Sequence, residues 1–411
     1  MTLHFDFDQV IDRRGGDSIK WNRYGDRDVL PMWVADMDFA APPAVLEALH
    51  RRVSHGVFGY GQPWPSLTEA VLEHLVSEFS WPVDPDWLVW LPGLVTGLNV
   101  ACRAVGGDVF TATPIYPPFL SAPRLAGKAL FTEPLALDDE GWRWDFTATE
   151  QTLATSGAKL LLLCHPHNPV GRAWRDDELE RIGTLAEEHD LIVCSDEIHC
   201  GLILDPNRRH RPFATLSDAA ARRSITLMAP SKTFNVPGLG CAFAIIPESG
   251  LRHAFRAVMD GIVPHVNILG LTACEAALRE GDAWRSALLD YLRGNRDRLA
   301  TAIAALPGLV MAPVEASYLA WIDTRAAAIS APSRFFEHAG VGLSAGSDFG
   351  IGDQYGSFVR LNFGCPRTTL DKAIERMTQA LMATDIVGRV ASIADGATLC
   401  VLPHGATGPM S

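Results

Sequence analysis

A lysine that follows a predicted buried strand is the first residue of this chain that could do covalent chemistry. Lys232 lies in Ala229-Pro-Ser-Lys-Thr-Phe-Asn235, directly after the apolar, β-rich run 224–228. This pattern predicts a turn at a strand end, which is where ligands bind in open α/β sheets. An ammonium drawn partly out of water has a lowered pKa and can act as a nucleophile or base near neutral pH. Taken alone, such a lysine would more often be an ordinary surface residue. Whether Lys232 has a chemical role must therefore be judged from the other motifs of the chain.

Two further charged residues are predicted at or within strands. Asp196 follows the apolar run 191–195, and a buried carboxylate there needs a cationic partner or several hydrogen-bond donors. Arg360 interrupts the alternating apolar strand 357–363. A guanidinium in that setting favours a bidentate anion, such as a carboxylate. An internal ion pair with an Asp or Glu is the alternative for Arg360.

A glycine-containing turn precedes a predicted helix and is suited to a phosphate. The segment Pro92-Gly-Leu-Val-Thr-Gly97 connects the predicted strand 88–91 to a helix from about 94 to 105. A helix N-terminus offers unpaired backbone N–H groups and the positive end of the helix dipole. Because many strand-to-helix turns contain glycine, this signal is weak by itself.

Two tyrosines are held on constrained turns. Tyr116 lies between prolines in Thr113-Pro-Ile-Tyr-Pro-Pro-Phe119, where its ring could stack on a flat cofactor, a core tyrosine being the alternative. Tyr60 is flanked by glycines in Phe58-Gly-Tyr-Gly61, which lets the backbone turn tightly and the phenol project. A tyrosine that merely caps the domain surface is the alternative for Tyr60.

The elements that must position these residues alternate between apolar strands and amphipathic helices. The strand 159–164, the helix 176–189 and the strand 191–195 form one such unit. This βαβ alternation predicts a parallel sheet with right-handed crossovers. At 411 residues the chain exceeds the size at which one hydrophobic core stops growing, so two domains are expected.

Composition excludes several classes of function. The formal net charge of −13 and the lack of a Lys/Arg run argue against nucleic acid as a partner. No secretory signal and no apolar run of membrane-spanning length is visible, so a cytoplasmic protein is expected. The eight cysteines show no Cys-x-x-Cys pair. Although Cys164, His165 and His167 are close in sequence, no second ligand cluster supports them, so no metal is predicted.

Taken together, these segments resemble the pyridoxal-phosphate (PLP) enzymes of fold type I, in the class I and II aminotransferase family. The amino-acid sequences of the motifs are most similar to those of the MalY/PatB branch, the cystathionine β-lyase-like carbon–sulfur lyases. Four segments carry this similarity: Trp33-Val-Ala-Asp-Met-Asp-Phe39, Pro166-His-Asn-Pro169, Asp196-Glu-Ile-His-Cys200 and Ser231-Lys-Thr-Phe-Asn235. The resemblance extends over roughly residues 5 to 384.

The resemblance implies an α/β fold with a mostly parallel, seven-stranded-type sheet flanked by helices in a large domain. A smaller α/β domain would be made from both chain ends. We expect an N-terminal arm and part of the small domain in residues 1–45, the large PLP-binding domain in 46–285 and the small C-terminal domain in 286–385. Residues 386–411 have the Gly-, Ala- and Pro-rich composition of a mobile tail.

The resemblance also implies catalytic and cofactor-binding roles. Lys232 would bind PLP covalently and then remove the substrate's α-proton. Asp196 would keep the pyridine nitrogen of PLP protonated, and Tyr116 would stack on its ring. Asn168 and His199 would contact the phenolic oxygen of the cofactor.

The remaining roles concern the substrate and the phosphate. Arg360 would bind the α-carboxylate of the substrate, and Asn168 would also contact the substrate. The backbone turn at Val95 and Thr96, together with Ser231, would bind the phosphate. Tyr60, which the resemblance places with Lys232 and Asp196 among the catalytic residues, would reach the phosphate of a neighbouring subunit, which implies a homodimer with shared active sites.

The predicted function is a PLP-dependent C–S β-lyase. It would cleave cystathionine or related cysteine S-conjugates, which carry a β-thio leaving group, to a thiol, pyruvate and ammonia. The same residues would serve an aminotransferase, and a regulatory binding protein that retains the fold is a second alternative. Three departures from the family pattern stand out: Gly201 replaces an expected acidic residue, His165 replaces the commoner Asn, and no arginine occurs near position 240.

Overall fold

A seven-stranded sheet forms the centre of the large domain in the computed structural model, which describes residues 5–138, 140–327 and 329–397. The strands lie in the spatial order Leu88–Leu91, Ala242–Ile245, Ser224–Met228, Ile192–Asp196, Ala158–Cys164, Asp108–Thr113 and Leu130–Pro134. Ala242–Ile245 is antiparallel to both of its neighbours, and the other pairs are parallel. The predicted fold class is confirmed.

The continuous apolar character of the strand Ala158–Cys164 is explained by burial on both faces. Leu160 and Leu162 pack into the hydrophobic cluster on one side of the sheet, whereas Leu161 and Leu163 pack into the cluster on the other side. Side chains alternate between the two faces of a strand, so a strand covered on both faces needs apolar residues at every position. Each buried leucine contributes roughly 1.5–3 kcal/mol to the stability of the sheet.

Helices cover the sheet and build the small domain. They span Ile19–Asn22, Pro43–His55, Pro65–Phe79, Leu94–Ala104, Pro117–Leu125, Phe146–Thr155, Asp176–Glu188, Asp218–Arg222, Ser249–Met259, Ile268–Glu280, Asp282–Ala304, Pro332–His338 and Arg367–Ala397. Within the described part of the chain, none of them has the length and apolar character needed to cross a bilayer. The last helix continues past residue 385, and the rest of the predicted tail, 398–411, lies outside the described residues.

The small domain contains residues from both chain ends. Its antiparallel sheet has the strand order Val310–Met311, Leu319–Asp323, Phe358–Asn362 and Ser344–Ala345. The N-terminal arm joins this domain, because Leu30–Pro31 pairs in parallel with Val341–Gly342. A separate hairpin is formed by Ala136–Asp138 and Gly141–Arg143.

The register of the central strands brings three loops to one edge of the sheet. Cys164 pairs with Asp196, and Asp196 pairs with Leu227. The carboxyl ends of these three parallel strands therefore lie side by side. The loops that begin there contain Asn168, His199 and Lys232, so residues far apart in sequence are collected at the edge where α/β sheets bind ligands.

A buried ion network joins the large and small domains behind these loops. Arg172 donates to both carboxylate oxygens of Glu315 at 2.7 Å and to Glu178 at 2.8 and 2.9 Å, and all three side chains are buried. The carbonyl of Gly171 accepts hydrogen bonds from the backbone N–H groups of Glu315 and Ala316. Because each buried charge is paired, the network holds the loop after Cys164 in a fixed position relative to the small domain.

Candidate active site

A cavity of about 680 Å³ lies between the carboxyl edge of the central sheet and the small domain. Its walls come from the N-terminal arm, the strand-end loops, the start of the helix Leu94–Ala104 and the strand Phe358–Asn362. Nine of the residues predicted from the sequence line it: Val95, Thr96, Tyr116, Asn168, Asp196, His199, Ser231, Lys232 and Arg360. The tertiary structure thus brings together candidates that span more than 260 residues of sequence.

Lys232 extends from the turn after the strand Ser224–Met228 into this cavity. Its Nζ donates a hydrogen bond of 2.5 Å to the carbonyl oxygen of Ala35 in the N-terminal arm. Burial lowers the pKa of Lys232 to about 8, and this effect outweighs the nearby carboxylate of Asp36, which acts in the opposite direction. A substantial fraction of the side chain is therefore the neutral amine near pH 7 to 8, the form that can act as nucleophile or base.

Asn235 connects the lysine turn to the N-terminal arm. Its Oδ1 accepts a hydrogen bond from the N–H of Met37, and its Nδ2 donates to the carbonyls of Met37 and Phe39. Asn235 has φ of +54°, a conformation that asparagine tolerates better than most residues. The two motifs Trp33–Phe39 and Ser231–Asn235 are therefore one physical unit, a link that sequence reasoning did not reveal.

Asp196 is the last residue of its strand, and the protein does little to stabilise the charge of its buried carboxylate. The N–H of Ile198 donates to Oδ1 at 3.2 Å, and no Lys, Arg or His in the described chain forms an ion pair with Asp196. Burial raises the pKa of Asp196 to about 7. A carboxylate in this state favours a ligand that brings a positively charged nitrogen.

His199 presents an unused ring nitrogen in the same region. Its side chain is buried, and Nδ1 has no hydrogen-bond partner among the described residues. Burial lowers the pKa of His199 to about 3, so the imidazole is neutral at physiological pH. The ring packs edge-on against Tyr318, with 6.0 Å between centroids. An oriented, neutral imidazole with a free nitrogen is suited to a hydrogen bond with a ligand oxygen or O–H group.

Arg360 is a buried guanidinium without an acidic partner in the described structure. It donates to Asn168 Oδ1 at 2.9 Å and to the Trp33 carbonyl at 2.8 Å, and it lies 4.8 Å from the ring centroid of Phe349. The internal ion pair considered from the sequence is absent from the described residues. Burial lowers the pKa of Arg360 to about 10, so it remains a cation at neutral pH. These features leave its charge available to a bound carboxylate.

The helix Leu94–Ala104 begins at the cavity without a side-chain cap. Gly93 precedes it, and Val95 and Thr96 lie in its first turn, where backbone N–H groups lack helical partners. Gly97 allows close packing on the sheet, because a Cβ at this position would lie 2.9 Å from Leu227 Cδ2. Ser231 lines the cavity nearby. Such an arrangement is suited to binding an anion.

The two tyrosines differ in position. Tyr116 lines the cavity just before the helix Pro117–Leu125, and burial raises the pKa of its phenol. Tyr60 does not line the cavity of its own chain, and its side chain is fully exposed. The single chain therefore brings nine of the ten predicted residues together and leaves Tyr60 pointing into solvent.

A buried network below the cavity was missed by the sequence reasoning. Glu197 accepts hydrogen bonds from Ser195 Oγ at 2.8 Å and from the N–H of Phe213 at 3.0 Å, and its Oε2 lies 2.7 Å from His210 Nε2. The ring of His165 stacks on His210, with 4.3 Å between centroids. Burial raises the pKa of Glu197 to about 7. Only the position of Glu197 directly after Asp196 could have indicated this cluster.

Comparison with known families shows to which family this chain belongs. The profile described as Aminotransferase class I and II matches residues 27–377, which is most of the chain. This chain belongs to that family. The family recognised from the sequence motifs is thereby confirmed.

Relatives of this class I and II aminotransferase family member include carbon–sulfur lyases. Cystathionine beta-lyase PatB of Bacillus subtilis is 38% identical over 91% of this chain and 99% of its own length. The crystal structure of OvoB is 51% identical, with a TM-score of 0.88 over 92% of this chain and 99% of that chain. Cystalysin from Treponema denticola, whose structure contains pyridoxal 5'-phosphate, is 31% identical, with a TM-score of 0.88 over 93% and 100%.

The structure explains the departures of this family member from the expected pattern. A Cβ on Gly201 would lie 2.6 Å from Thr233 Oγ1, so glycine leaves room for the residue beside Lys232. His165 is accommodated by its stack on His210. Gly240 has φ of +56°, and a Cβ there would lie 3.1 Å from the Pro92 carbonyl, so no phosphate-binding side chain extends from this position.

Proposed function

We propose that this aminotransferase-family protein is a PLP-dependent carbon–sulfur β-lyase. It cleaves cystathionine or a related cysteine S-conjugate to a thiol, pyruvate and ammonia. One observation carries the proposal: three ionisable side chains face one cavity, Lys232, Asp196 and Arg360, and none of them forms an ion pair with a described residue. An aldehyde, a protonated pyridine nitrogen and an amino-acid carboxylate supply the three partners. The relatives named as cystathionine β-lyases support the same conclusion.

The residues present fit PLP. Asp196 would hold its pyridine nitrogen in the charged form, and Tyr116 would cover its ring. Asn168 would donate to the phenolic oxygen through Nδ2, because its Oδ1 already accepts a hydrogen bond from Arg360. His199 would use its free Nδ1 toward the same oxygen. When bound, PLP withdraws electrons from the α-carbon and so makes its C–H bond acidic.

The phosphate would be bound at the uncapped start of the helix Leu94–Ala104, by backbone N–H groups at Val95 and Thr96 and by Ser231. We propose that Tyr60 of the partner subunit completes this site in a homodimer. The full exposure of Tyr60, beside exposed Phe58, supports this assembly. A tyrosine and a phenylalanine in water are favourable contacts for a second copy of the chain.

Once the amino group of the substrate has taken the place of the Lys232 amine on the aldehyde, that amine would act as the general base. Burial lowers its pKa to about 8, which favours the neutral form that accepts the α-proton of the substrate. The electron pair of the C–H bond forms a Cα–Cβ double bond while the Cβ–S bond breaks, and sulfur leaves with its electron pair as a thiolate. Addition of water then gives pyruvate and ammonium. Arg360 orients the substrate for this proton transfer by binding its α-carboxylate.

A cytoplasmic location is part of this proposal. The seven cysteines in the described residues are all free, and six of them are buried, which is the usage typical of a reducing compartment. A purely regulatory role is the weaker alternative, because nine of the ten predicted site residues line the cavity.

The deciding experiment compares elimination with transamination. The purified protein is loaded with PLP and mixed with L-cystathionine, and separately with amino acids plus a 2-oxo acid, and thiol and pyruvate are measured. We expect both products without any oxo-acid acceptor. Lys232→Ala should abolish them, whereas Lys372→Ala, at an exposed lysine outside the cavity, should not. Turnover that requires the acceptor would instead establish an aminotransferase.

A further inference from the structure

The backbone carbonyl of Ala35 accepts hydrogen bonds from two side chains. Lys232 Nζ donates to it at 2.5 Å, and the phenol O–H of Tyr318 donates to the same oxygen at 3.0 Å. We propose that Tyr318 is a positioning residue, which shares this carbonyl with Lys232 and so limits how strongly the carbonyl holds the amine. This inference rests on the role proposed for Lys232 as the base, and it adds a residue that the proposed reaction does not use.

Tyr318 acts on the site from outside the cavity. Its side chain is fully buried and does not line the cavity. Among the described residues, its O–H has no acceptor other than the Ala35 carbonyl. Burial raises the pKa of the phenol well above its ordinary value of 10, so the O–H remains a donor over the pH range in which Lys232 titrates. Tyr318 therefore influences a ligand through the residues that it contacts.

The shared carbonyl is held in place on both sides. Asn362 Nδ2 donates to the carbonyls of Val34 and Asp36, at 2.7 Å in each case. Lys20 Nζ also donates to the carbonyl of Asp36, at 3.1 Å. Because the carbonyls before and after it are bonded, the carbonyl of Ala35 is not free to turn away from either of its two donors.

The backbone next to Tyr318 is strained. Ser317 is buried and has φ of +72°, a left-handed conformation that residues other than glycine rarely adopt. The N–H of Ser317 donates to the Leu202 carbonyl at 2.8 Å, and the carbonyl of Tyr318 accepts from the N–H of Phe363 at 2.9 Å. Strain of this kind persists where the surrounding structure over-determines the backbone, and it is concentrated at functional sites. Here it fixes the direction in which the Tyr318 side chain extends.

Sharing one acceptor weakens each of the two hydrogen bonds. A carbonyl oxygen has two lone pairs and can accept from two donors, but both donors draw on the negative charge of the same oxygen. An ammonium forms a stronger hydrogen bond than a neutral amine, because its donor is charged. Without the phenol O–H, the carbonyl would therefore stabilise the protonated form of Lys232 more than it does now. Tyr318 thus favours the neutral amine, in the same direction as burial.

Other titratable groups also act on Lys232, from the N-terminal arm, the strand-end loops and the small domain. They are Asp36, Asp196, His199 and Arg360. The two carboxylates favour the charged form of the amine, whereas the guanidinium favours the neutral form. The imidazole is itself neutral at physiological pH. A change confined to the phenol O–H leaves all four groups in the protein, so its effect on Lys232 can be measured separately.

Tyr318→Phe removes the O–H and keeps the ring, which packs edge-on against His199 with 6.0 Å between centroids. Competitive labelling of the full-length, cofactor-free protein with acetic anhydride at a series of pH values, read by mass spectrometry, gives the titration midpoint of Lys232. We expect the midpoint of the variant to lie about 0.5 to 1 pH unit above that of the wild type. An unchanged or lower midpoint overturns the proposal.

Tyr291→Phe is the matched control. Tyr291 is also buried and lies outside the cavity, and its O–H donates to the carboxylate of Asp8. This variant loses a buried phenol O–H that has no contact with Lys232, so the midpoint of Lys232 should stay at the wild-type value. An equal shift in both variants would show a general loosening of the protein and would overturn the proposal.

A stronger donor at position 318 should have the opposite effect. Site-specific replacement of Tyr318 by 3-fluorotyrosine keeps the ring and makes the phenol a better hydrogen-bond donor, so the midpoint of Lys232 should fall below the wild-type value. A residue that only packs predicts no shift, or a shift of the same sign as with phenylalanine, and either result overturns the proposal. This protein also provides the test if Tyr318→Phe does not fold.

The pH profile of the PLP-loaded protein gives an independent measurement. With L-cystathionine, the acidic limb of kcat for thiol release should move upward by about 0.5 to 1 pH unit in Tyr318→Phe, because kcat reports ionisations in the substrate complex. KM should change little, since Tyr318 lies outside the cavity. Thiol release with unshifted labelling midpoints refutes the positioning role alone. Shifted midpoints without thiol from any of the proteins refute the lyase function alone.

Discussion

The Nζ atom of Lys232 donates a 2.5 Å hydrogen bond to the backbone carbonyl of Ala35. These residues are 197 positions apart, and the bond places the N-terminal arm directly against the proposed base. Asn235, three residues later, binds the same arm through three further hydrogen bonds. The arm is therefore a wall of the candidate active site, and its position affects both the orientation and the surroundings of the lysine.

The lowered pKa of Lys232 predicts unusual reactivity. In the cofactor-free protein, the extent of labelling of Lys232 by acetic anhydride should rise with a midpoint near pH 8, because burial favours the neutral amine. Competitive labelling followed by mass spectrometry measures this midpoint. Lys372, which is exposed, serves as the internal reference for the amount of reagent. A labelling midpoint for Lys232 at the ordinary lysine value of 10.5 would contradict the assigned environment.

Asp196→Asn should have opposite effects on the cofactor-free and loaded proteins. Folding raises the pKa of Asp196 from 3.8 to about 7, so the unfolded state binds fewer protons between these values and the folded wild type loses stability as pH rises through them. The loss is up to about 4 kcal/mol. At pH 8 the cofactor-free variant should therefore be the more stable protein.

Binding of PLP should make the wild type the more stable protein, because only in the wild type does the charged nitrogen of PLP pair with the Asp196 carboxylate. Thermal unfolding at pH 5 and pH 8, with and without PLP, measures both effects. The variant should also lose at least about a hundredfold in kcat. A variant that is less stable than wild type in both forms would show that Asp196 has another partner.

Glu197 should be required for stability rather than for chemistry alone. Glu197→Ala removes the acceptor for Ser195, Phe213 and His210 in a buried site, so we expect a loss of about 3 kcal/mol or more. Glu197→Gln keeps an acceptor oxygen and should lose less. Urea unfolding of the cofactor-free proteins gives both values. Equal stability of the alanine variant and the wild type would show that the network contributes nothing.

Gly201 should be coupled to Thr233. A methyl group at position 201 would lie 2.6 Å from Thr233 Oγ1 and 2.8 Å from its Cγ2, so Gly201→Ala should destabilise the lysine turn by about 1–3 kcal/mol. Thr233→Ala removes both atoms and should recover much of that loss in the double variant. A double-mutant cycle on unfolding free energies measures the coupling. Additive effects would mean that the neighbouring backbone shifts instead.

Much of the site was predictable because its residues follow strands. An apolar run followed by a polar turn identifies a strand end, and the βαβ order requires that the carboxyl ends of parallel strands share one edge. Asp196 and Lys232 could therefore be placed near each other from sequence, and Arg360 was recognisable as a cation in an apolar strand. The resemblance of the motifs to the family added the expected role of each residue and the expected cofactor.

The sequence by itself determined the sheet, the order of its elements and the candidate site residues at its carboxyl edge, because these depend on local periodicity and strand order. The tertiary structure alone decided what packs against that edge. The hydrogen bonds from Lys232 and Asn235 to the arm, the stack of His165 on His210, and the hydrogen bond from Arg360 to Asn168 all join distant segments. Such contacts depend on how loops and domains dock, and no local pattern in the chain encodes that geometry.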